Sequence, residues 1–190
     1  TDEIHLAQDI SFSLDSIVDF DTFYALMKQV ISSMIAAHVQ GAVIAFRNAA
    51  EKQSSPLASM LIDDCIKRGL SSGGAKYNYI YPCFPGFVNL VNGLYAIKKL
   101  VFDEKKMTLR DMETLCESNF QDQRMKAYFD NKIDKFGNGC TECDQLAKEV
   151  YDFIRVSLST HDTGIIKFHP SYFAYVYHGA MGEKTMATPD

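Results

Sequence analysis

"GGAKYNYIYPCFPG", residues 73–86, is the stretch whose reading decides the fold. Two glycines open it, two prolines close it, and tyrosines fill the middle. The aromatic run "KYNYIY" predicts a strand. Gly73 and Gly74 are placed to let the backbone turn sharply out of a preceding helix. Pro82 and Pro85 lack the N–H that a ladder needs, so they end the strand and aim the chain toward the next helix.

Helical patterns flank this strand. In "SPLASMLIDDCIKRG", residues 55–69, Leu57, Leu61 and Cys65 fall on one stripe, with Met60 and Ile62 beside it. Gly69 suits the left-handed position that ends such a helix. "FVNLVNGLYAIKKLVF", residues 87–102, carries Val91, Leu94, Tyr95, Lys98 and Val101 at helical spacing. Thr108 and Asp111 stand at capping-box spacing. Thr141 opens a further helix, with Leu146, Val150, Phe153 and Ile154 on one side. Only one other strand is expected, at "SYFAYVYHG", residues 171–179. Alternation there puts Phe173, Tyr175 and Tyr177 on one face and Tyr172, Ala174, Val176 and His178 on the other. Two strands this far apart cannot make a stable sheet by themselves. They are expected to be parallel strands of a larger sheet with helical crossovers, so the chain is read as a mostly helical part of an α/β structure.

The 190 residues suit a single segment or domain, and a chain of this length can bury roughly 70% of its unfolded surface. Hydrophobic residues make up 47% and charged residues 23%, an ordinary globular balance. A net charge of −5 without a Lys/Arg cluster argues against a nucleic-acid or anionic-membrane partner. Five cysteines, at 65, 83, 116, 140 and 143, do not form a disulfide framework, and a reducing cytoplasm is the expected setting. The opening "TDEIHLAQDI" has neither the basic start nor the apolar run of a signal peptide. Residues 29–46 carry no formal charge and approach membrane-spanning length. Their Gln29, Ser32, Ser33, His38, Gln40 and Gly41 are costly in lipid, so a helix buried nearly all round in a large soluble protein is expected. Asp21 is its expected N-cap, and His38 is expected to be a hydrogen-bonded core residue.

Two motifs invite functional readings. Cys140 and Cys143 form a C-x-x-C, but zinc needs two further ligands, and only the distant His161 and His169 are on offer. A redox pair of the thioredoxin kind would follow a strand, and this one follows a Gly-Asn-Gly turn. A helix-entry loop with incidental cysteines is the expectation, with no metal. Asp162-Thr163-Gly164 matches half of an aspartic-protease dyad, but the preceding helix is the wrong context, and Asp and Gly are ordinary turn residues.

The concatenation of several stretches resembles the glycyl-radical enzymes of the pyruvate formate-lyase-like group, which includes the glycerol and propanediol dehydratases and the choline trimethylamine-lyase. The resembling features are the proline-initiated helix around Cys65 and Ile66, the Gly-Gly-Ala-x-Tyr-Asn element Gly73–Asn78, and the helix from Asn89 to Val101. "DKFGN", Asp134–Asn138, is similar to the family's Lys-Tyr-Gly-Asn turn. "GEKTMATPD", Gly182–Asp190, is similar to the start of its Ala-Thr-Pro-Asp-Gly-Arg segment. The order agrees over about residues 20–190.

This resemblance implies a ten-stranded α/β barrel made of two five-stranded halves with helices outside, of which residues 1–190 would be an internal piece of the second half. It implies a parent that cleaves a C–C, C–O or C–N bond of a small substrate. The parent would use a stored glycyl radical, installed by an S-adenosylmethionine-dependent activating enzyme, and a cysteine thiyl radical. By order, the chain is expected to lie after the family's Gly-Cys-x-Glu loop and before its Arg-Val-x-Gly-Tyr segment. The latter does not occur, and the one Gly-Cys-x-Glu spelling, Gly139–Glu142, directly follows the Lys-Tyr-Gly-Asn-like turn and so lies outside that loop's context. No catalytic residue is therefore expected here, and the isolated chain is expected to be inactive. Its expected contribution is pocket wall, from Tyr77, Asn78, Tyr175 and Tyr177. Open strand edges further predict self-association. The competing reading is a stand-alone helical binding or scaffold protein without radical chemistry.

Overall fold

The computed structural model describes residues 13–52 and 55–172. After a 3-10 turn at Leu14–Ser16 come α1 (Phe20–Lys52), α2 (Pro56–Leu61), α3 (Cys65–Arg68) and a 3-10 turn at Ser72–Gly74. Then follow β1 (Asn78–Ile80), α4 (Phe87–Ile97), a π-helical turn at Lys98–Asp103, α5 (Leu109–Glu117), α6 (Gln123–Lys132), α7 (Thr141–Ser159) and β2 (Ile166–Phe168). The chain is mostly helical, and among the described residues its sheet is the pair β1–β2.

The strands run parallel, with Asn78 opposite Ile166, Tyr79 opposite Lys167 and Ile80 opposite Phe168. The parallel expectation thus holds for β1, but its partner is a strand that hydrophobic patterning does not flag. "IKF" is three residues long with a lysine in the middle, too short to show a period. Backbone bonding continues past the strands, from His169 N–H to Ile80 O at 3.1 Å and from Ser171 N–H to Pro82 O at 2.9 Å. The strand expected at 171–179 lies, apart from Ser171 and Tyr172, outside the described residues.

The described residues divide into two compact units, and the division falls inside α1 and inside α7. One unit holds residues 29–52, 55–82 and 154–171. Its core is Ile35 and Val39 of α1, Cys65, Ala75, Ile154 and Leu158, and Ile166 and Phe168 of β2. Gly73 is required by a close approach rather than a sharp turn. Its Cα faces α1 so tightly that a Cβ would collide with the Ala50 Cβ and stand 3.0 Å from the Ala50 Cα. Gly69 does take the left-handed conformation, at φ 66°, and closes α3.

Three expectations are corrected in this unit. Residues 55–69 are two short helices, not one. Ser55 caps α2 through its hydroxyl, which accepts from the Ala58 N–H at 3.3 Å, and Ile62 then takes an extended conformation. The Asp64 carboxylate, which could have served a continuing helix, instead accepts from the Lys76 N–H at 2.8 Å and the Arg68 guanidinium at 2.7 Å. The stripe is lost with it: Cys65 is buried, while Leu61 is 80% exposed. The uncharged part of α1 is not buried all round either, since Ile35 and Val39 are its buried side chains, four residues apart on one face. Covering neighbours for the other faces are not among the described residues. His38 is exposed, not core, because it sits about 100° round the helix from Val39. By length and composition alone, α1 is apolar enough to cross a membrane.

The other unit holds residues 13–28, 83–153 and 172. Asp19 rather than Asp21 caps α1, since the Asp19 carboxylate accepts from the Thr22 N–H at 2.7 Å and Asp21 lies in the first turn. Phe20 and Phe23 then pack on Phe102 at ring distances of 6.0 and 6.2 Å. Val91, Leu94, Tyr95 and Ala96 of α4 are buried, as are Leu100 and, from α7, Cys143, Leu146, Ala147 and Val150. The capping box forms as expected, with Thr108 and Asp111 bonded reciprocally at the start of α5. Helix α6 was not legible in the patterning, because Phe129 is its one buried residue. It is specified instead by its cap, the Asp122 carboxylate accepting from Arg124 and Met125 N–H groups, and by an edge-to-face contact of Phe129 with Phe120 at 5.2 Å.

Candidate functional site

The β1–β2 ladder has two unlike faces. Partners in register share a face. On one side Ile166 and Phe168 are buried, with Asn78 and Ile80 half-buried opposite them. The other side carries Tyr79 and Lys167, and it is open: Tyr79 is 47% and Tyr81 60% exposed. Tyr79 stacks along Tyr81 with centroids 6.1 Å apart, and the His169 ring lies 5.9 Å from one and 6.4 Å from the other. Parallel sheets are normally covered on both faces. Three adjoining aromatic rings left open on such a ladder form a surface built to be covered or to bind.

The sequence-predicted residues distribute unevenly around this face. Tyr77 precedes β1 and is exposed, with the Lys76 ammonium 5.1 Å above its ring. Asn78 lies on the half-buried side, where its amide donates to the Ala75 carbonyl at 2.6 Å and the Ile165 carbonyl at 3.3 Å. Tyr175 and Tyr177 lie outside the described residues. Tyr79, Tyr81 and His169 were missed. The first two were findable, because alternation over 76–81 already groups Tyr77, Tyr79 and Tyr81. His169 follows a strand that was itself missed.

The turn into β2 explains the Asp-Thr-Gly motif. The Asp162 carboxylate accepts from the Phe168 N–H at 2.9 Å and pairs with the Lys167 ammonium at 3.1 Å. The Thr163 hydroxyl accepts from the Ile166 N–H at 2.8 Å. Burial pushes the Asp162 carboxyl up, but the Phe168 N–H and Lys167 outweigh it and hold the group below the usual carboxylate range. Asp162 thus braces the lysine edge of the open face.

In the other unit, Cys140 and Cys143 meet at the start of α7 with both thiols unbridged. Among the described residues no group of three or more His, Cys, Asp or Glu is placed to hold a metal ion. Tyr172 is packed between Phe87 at 4.6 Å and Tyr151 at 5.6 Å, and its hydroxyl is buried without a hydrogen-bond partner among the described residues.

The family model described as pyruvate formate lyase-like matches residues 7–182. Trans-4-hydroxy-L-proline dehydratase of Clostridioides difficile is 28% identical over 136 residues, which is 70% of this chain and 17% of that protein. The 4-hydroxyphenylacetate decarboxylase glycyl radical subunit of C. difficile strain CD196 is 27% identical over 165 residues, 72% of this chain and 18% of that protein. A solved structure of the glycerol-bound form of the B12-independent glycerol dehydratase from Clostridium butyricum superposes with a TM-score of 0.87 at 27% identity, covering 95% of this chain and 23% of that one. The chain therefore spans less than a quarter of the length of these relatives.

Proposed function

The chain belongs to the pyruvate formate lyase-like family, and on that premise we propose that it is a segment of the barrel wall of a glycyl-radical enzyme acting on a small substrate. The open aromatic face of β1–β2 is the observation that carries this reading. In a closed barrel, helices cover the outside of each parallel strand, and the inner face meets the substrate. The buried side of this ladder is Ile166 and Phe168, and the side that would face inward is Tyr79, Tyr81 and His169. Tyr77, exposed just before β1, would add a further hydroxyl to the same wall. Asn78 acts as a positioning residue, since its amide is already engaged by two carbonyls.

Dehydratases recur among the relatives, and the reaction we favour is loss of a hydroxyl or comparable group from a small hydroxylated compound. The wall would orient the substrate through phenol hydroxyls and imidazole while its ring faces exclude water. Hydrogen abstraction would lie elsewhere in the polypeptide: Arg-Val-x-Gly-Tyr is not in this chain, and its one Gly-Cys-x-Glu spelling, Gly139–Glu142, is the entry to α7 directly after the Lys-Phe-Gly-Asn turn. The radical would be installed by an S-adenosylmethionine-dependent activating enzyme, and the setting would be the cytoplasm.

Hydroxyl-radical footprinting tests the reading. Tyr79 and Tyr81 should be oxidised readily in the 190-residue chain and protected in the polypeptide encoded by the whole reading frame. Equal oxidation in both would favour the stand-alone binding protein instead.

A further inference from the structure

Cys140 takes the N-cap place of α7. Its carbonyl accepts from the Asp144 N–H at 3.0 Å, and its sulfur accepts from the Cys143 N–H at 3.4 Å. The sulfur therefore sits on the positive end of a 19-residue helix. Cys143, in the first turn, is fully buried, whereas Cys140 is half-exposed. The Cys143 N–H bond to the Cys140 sulfur ties the two cysteines together across the first turn of the helix. The loop before them is braced from two sides. The Asn92 amide oxygen accepts from the Phe136 N–H at 2.8 Å, and Asp144 accepts from the Gly137 N–H at 3.4 Å. The Tyr95 hydroxyl completes the surroundings, donating to the Glu142 carboxylate at 3.3 Å.

We propose that Cys140 and Cys143 form a reversible disulfide by exchange with a small-molecule disulfide, Cys140 attacking and Cys143 resolving. The preceding Gly-Asn-Gly turn does not weaken this, because what exchange chemistry uses is the helix N-terminus, and the structure supplies it. In the first step Cys140 gives its proton to solvent and its thiolate attacks one sulfur of the external disulfide. That S–S bond breaks, one thiolate leaves, and a mixed disulfide remains on Cys140. In the second step Cys143 loses its proton, attacks the Cys140 sulfur and expels the second thiolate. The pair gives up two electrons and two protons, and the external disulfide takes them as two thiols.

The asymmetry of the site assigns these roles. Burial pushes the Cys140 thiol up, but hydrogen bonds from the Cys143 thiol, the Cys143 N–H and Tyr95 outweigh it and bring the thiol below its ordinary value. Burial first, and Cys140 second, push Cys143 up to about 12. Only Cys140 is both accessible and ready to ionise. Cys143 is shielded until its neighbour carries a leaving group.

Trypsin releases residues 136–148 as one peptide that contains both cysteines and no other. After incubation of the full chain with oxidised glutathione and alkylation, this peptide should convert to a form lighter by two hydrogens, restored by dithiothreitol. Cys143→Ser should instead accumulate glutathione on Cys140, and Cys140→Ser should leave Cys143 unmodified in the folded chain. A wild-type peptide that keeps its reduced mass, or that stops as the Cys140 mixed disulfide, would overturn the proposal. So would equal glutathione uptake by the two variants.

Discussion

A Cβ at position 73 has nowhere to go, because Ala50 of α1 already occupies the space. Gly73→Ala should therefore destabilise the fold by roughly 1–3 kcal/mol, the usual cost of overpacking. The urea midpoint would show it. Adding Ala50→Gly should recover part of the loss, which a purely conformational role for Gly73 would not allow. Asp162 sets a second residue-scale expectation. Its folded carboxyl is held below the usual value, so the stability it lends β2 is complete above the unfolded value of about 3.9 and fades as pH falls through the lower folded one. The protection of the Phe168 amide against hydrogen exchange, corrected for intrinsic rate, should drop between about pH 5 and pH 3 in the wild type. In Asp162→Asn, which keeps an acceptor but does not titrate, it should stay flat. A wild-type profile as flat as the variant's would refute that role.

At the scale of elements, legibility followed local chemistry. The capping box at Thr108 and Asp111, the strand at Asn78–Ile80 and the helix opening at Thr141 were readable because cap, alternation and period are written in adjacent residues. Helix α6 was not, since a single buried Phe129 gives no period to detect. Strand β2 was not, since its identity comes from pairing with β1 across a sequence separation of 87, as the Asn78-to-Ile165 bond shows. The break at Ile62 was hidden for the same reason: Asp64 is drawn away by a backbone amide at Lys76 that no helical window contains. For the site, alternation could name Tyr79 and Tyr81, but not His169, whose place depends on β2. The open face also carries a prediction. An aromatic face left uncovered on a ladder that is two-stranded among the described residues should drive self-association. Sedimentation of the 190-residue chain should show species heavier than the monomer, and Tyr79→Lys with Tyr81→Lys should shift the distribution toward monomer. A wild-type chain that sediments as a sharp monomer at high concentration would contradict this.

At the scale of the whole molecule, among the described residues the sheet is two-stranded, α1 keeps exposed faces and the Tyr172 hydroxyl is buried without a partner. The chain matches less than a quarter of each relative's length. On the proposed function, this segment shapes a wall and the radical carriers stand outside it. Electron paramagnetic resonance tests that division most directly. The polypeptide of the whole reading frame and the 190-residue chain would each be treated with the activating enzyme, a reductant and S-adenosylmethionine. The account predicts a glycyl-radical doublet from the former and none from the latter. A doublet from the 190-residue chain, or silence from the whole polypeptide under conditions that activate a related dehydratase, would contradict it.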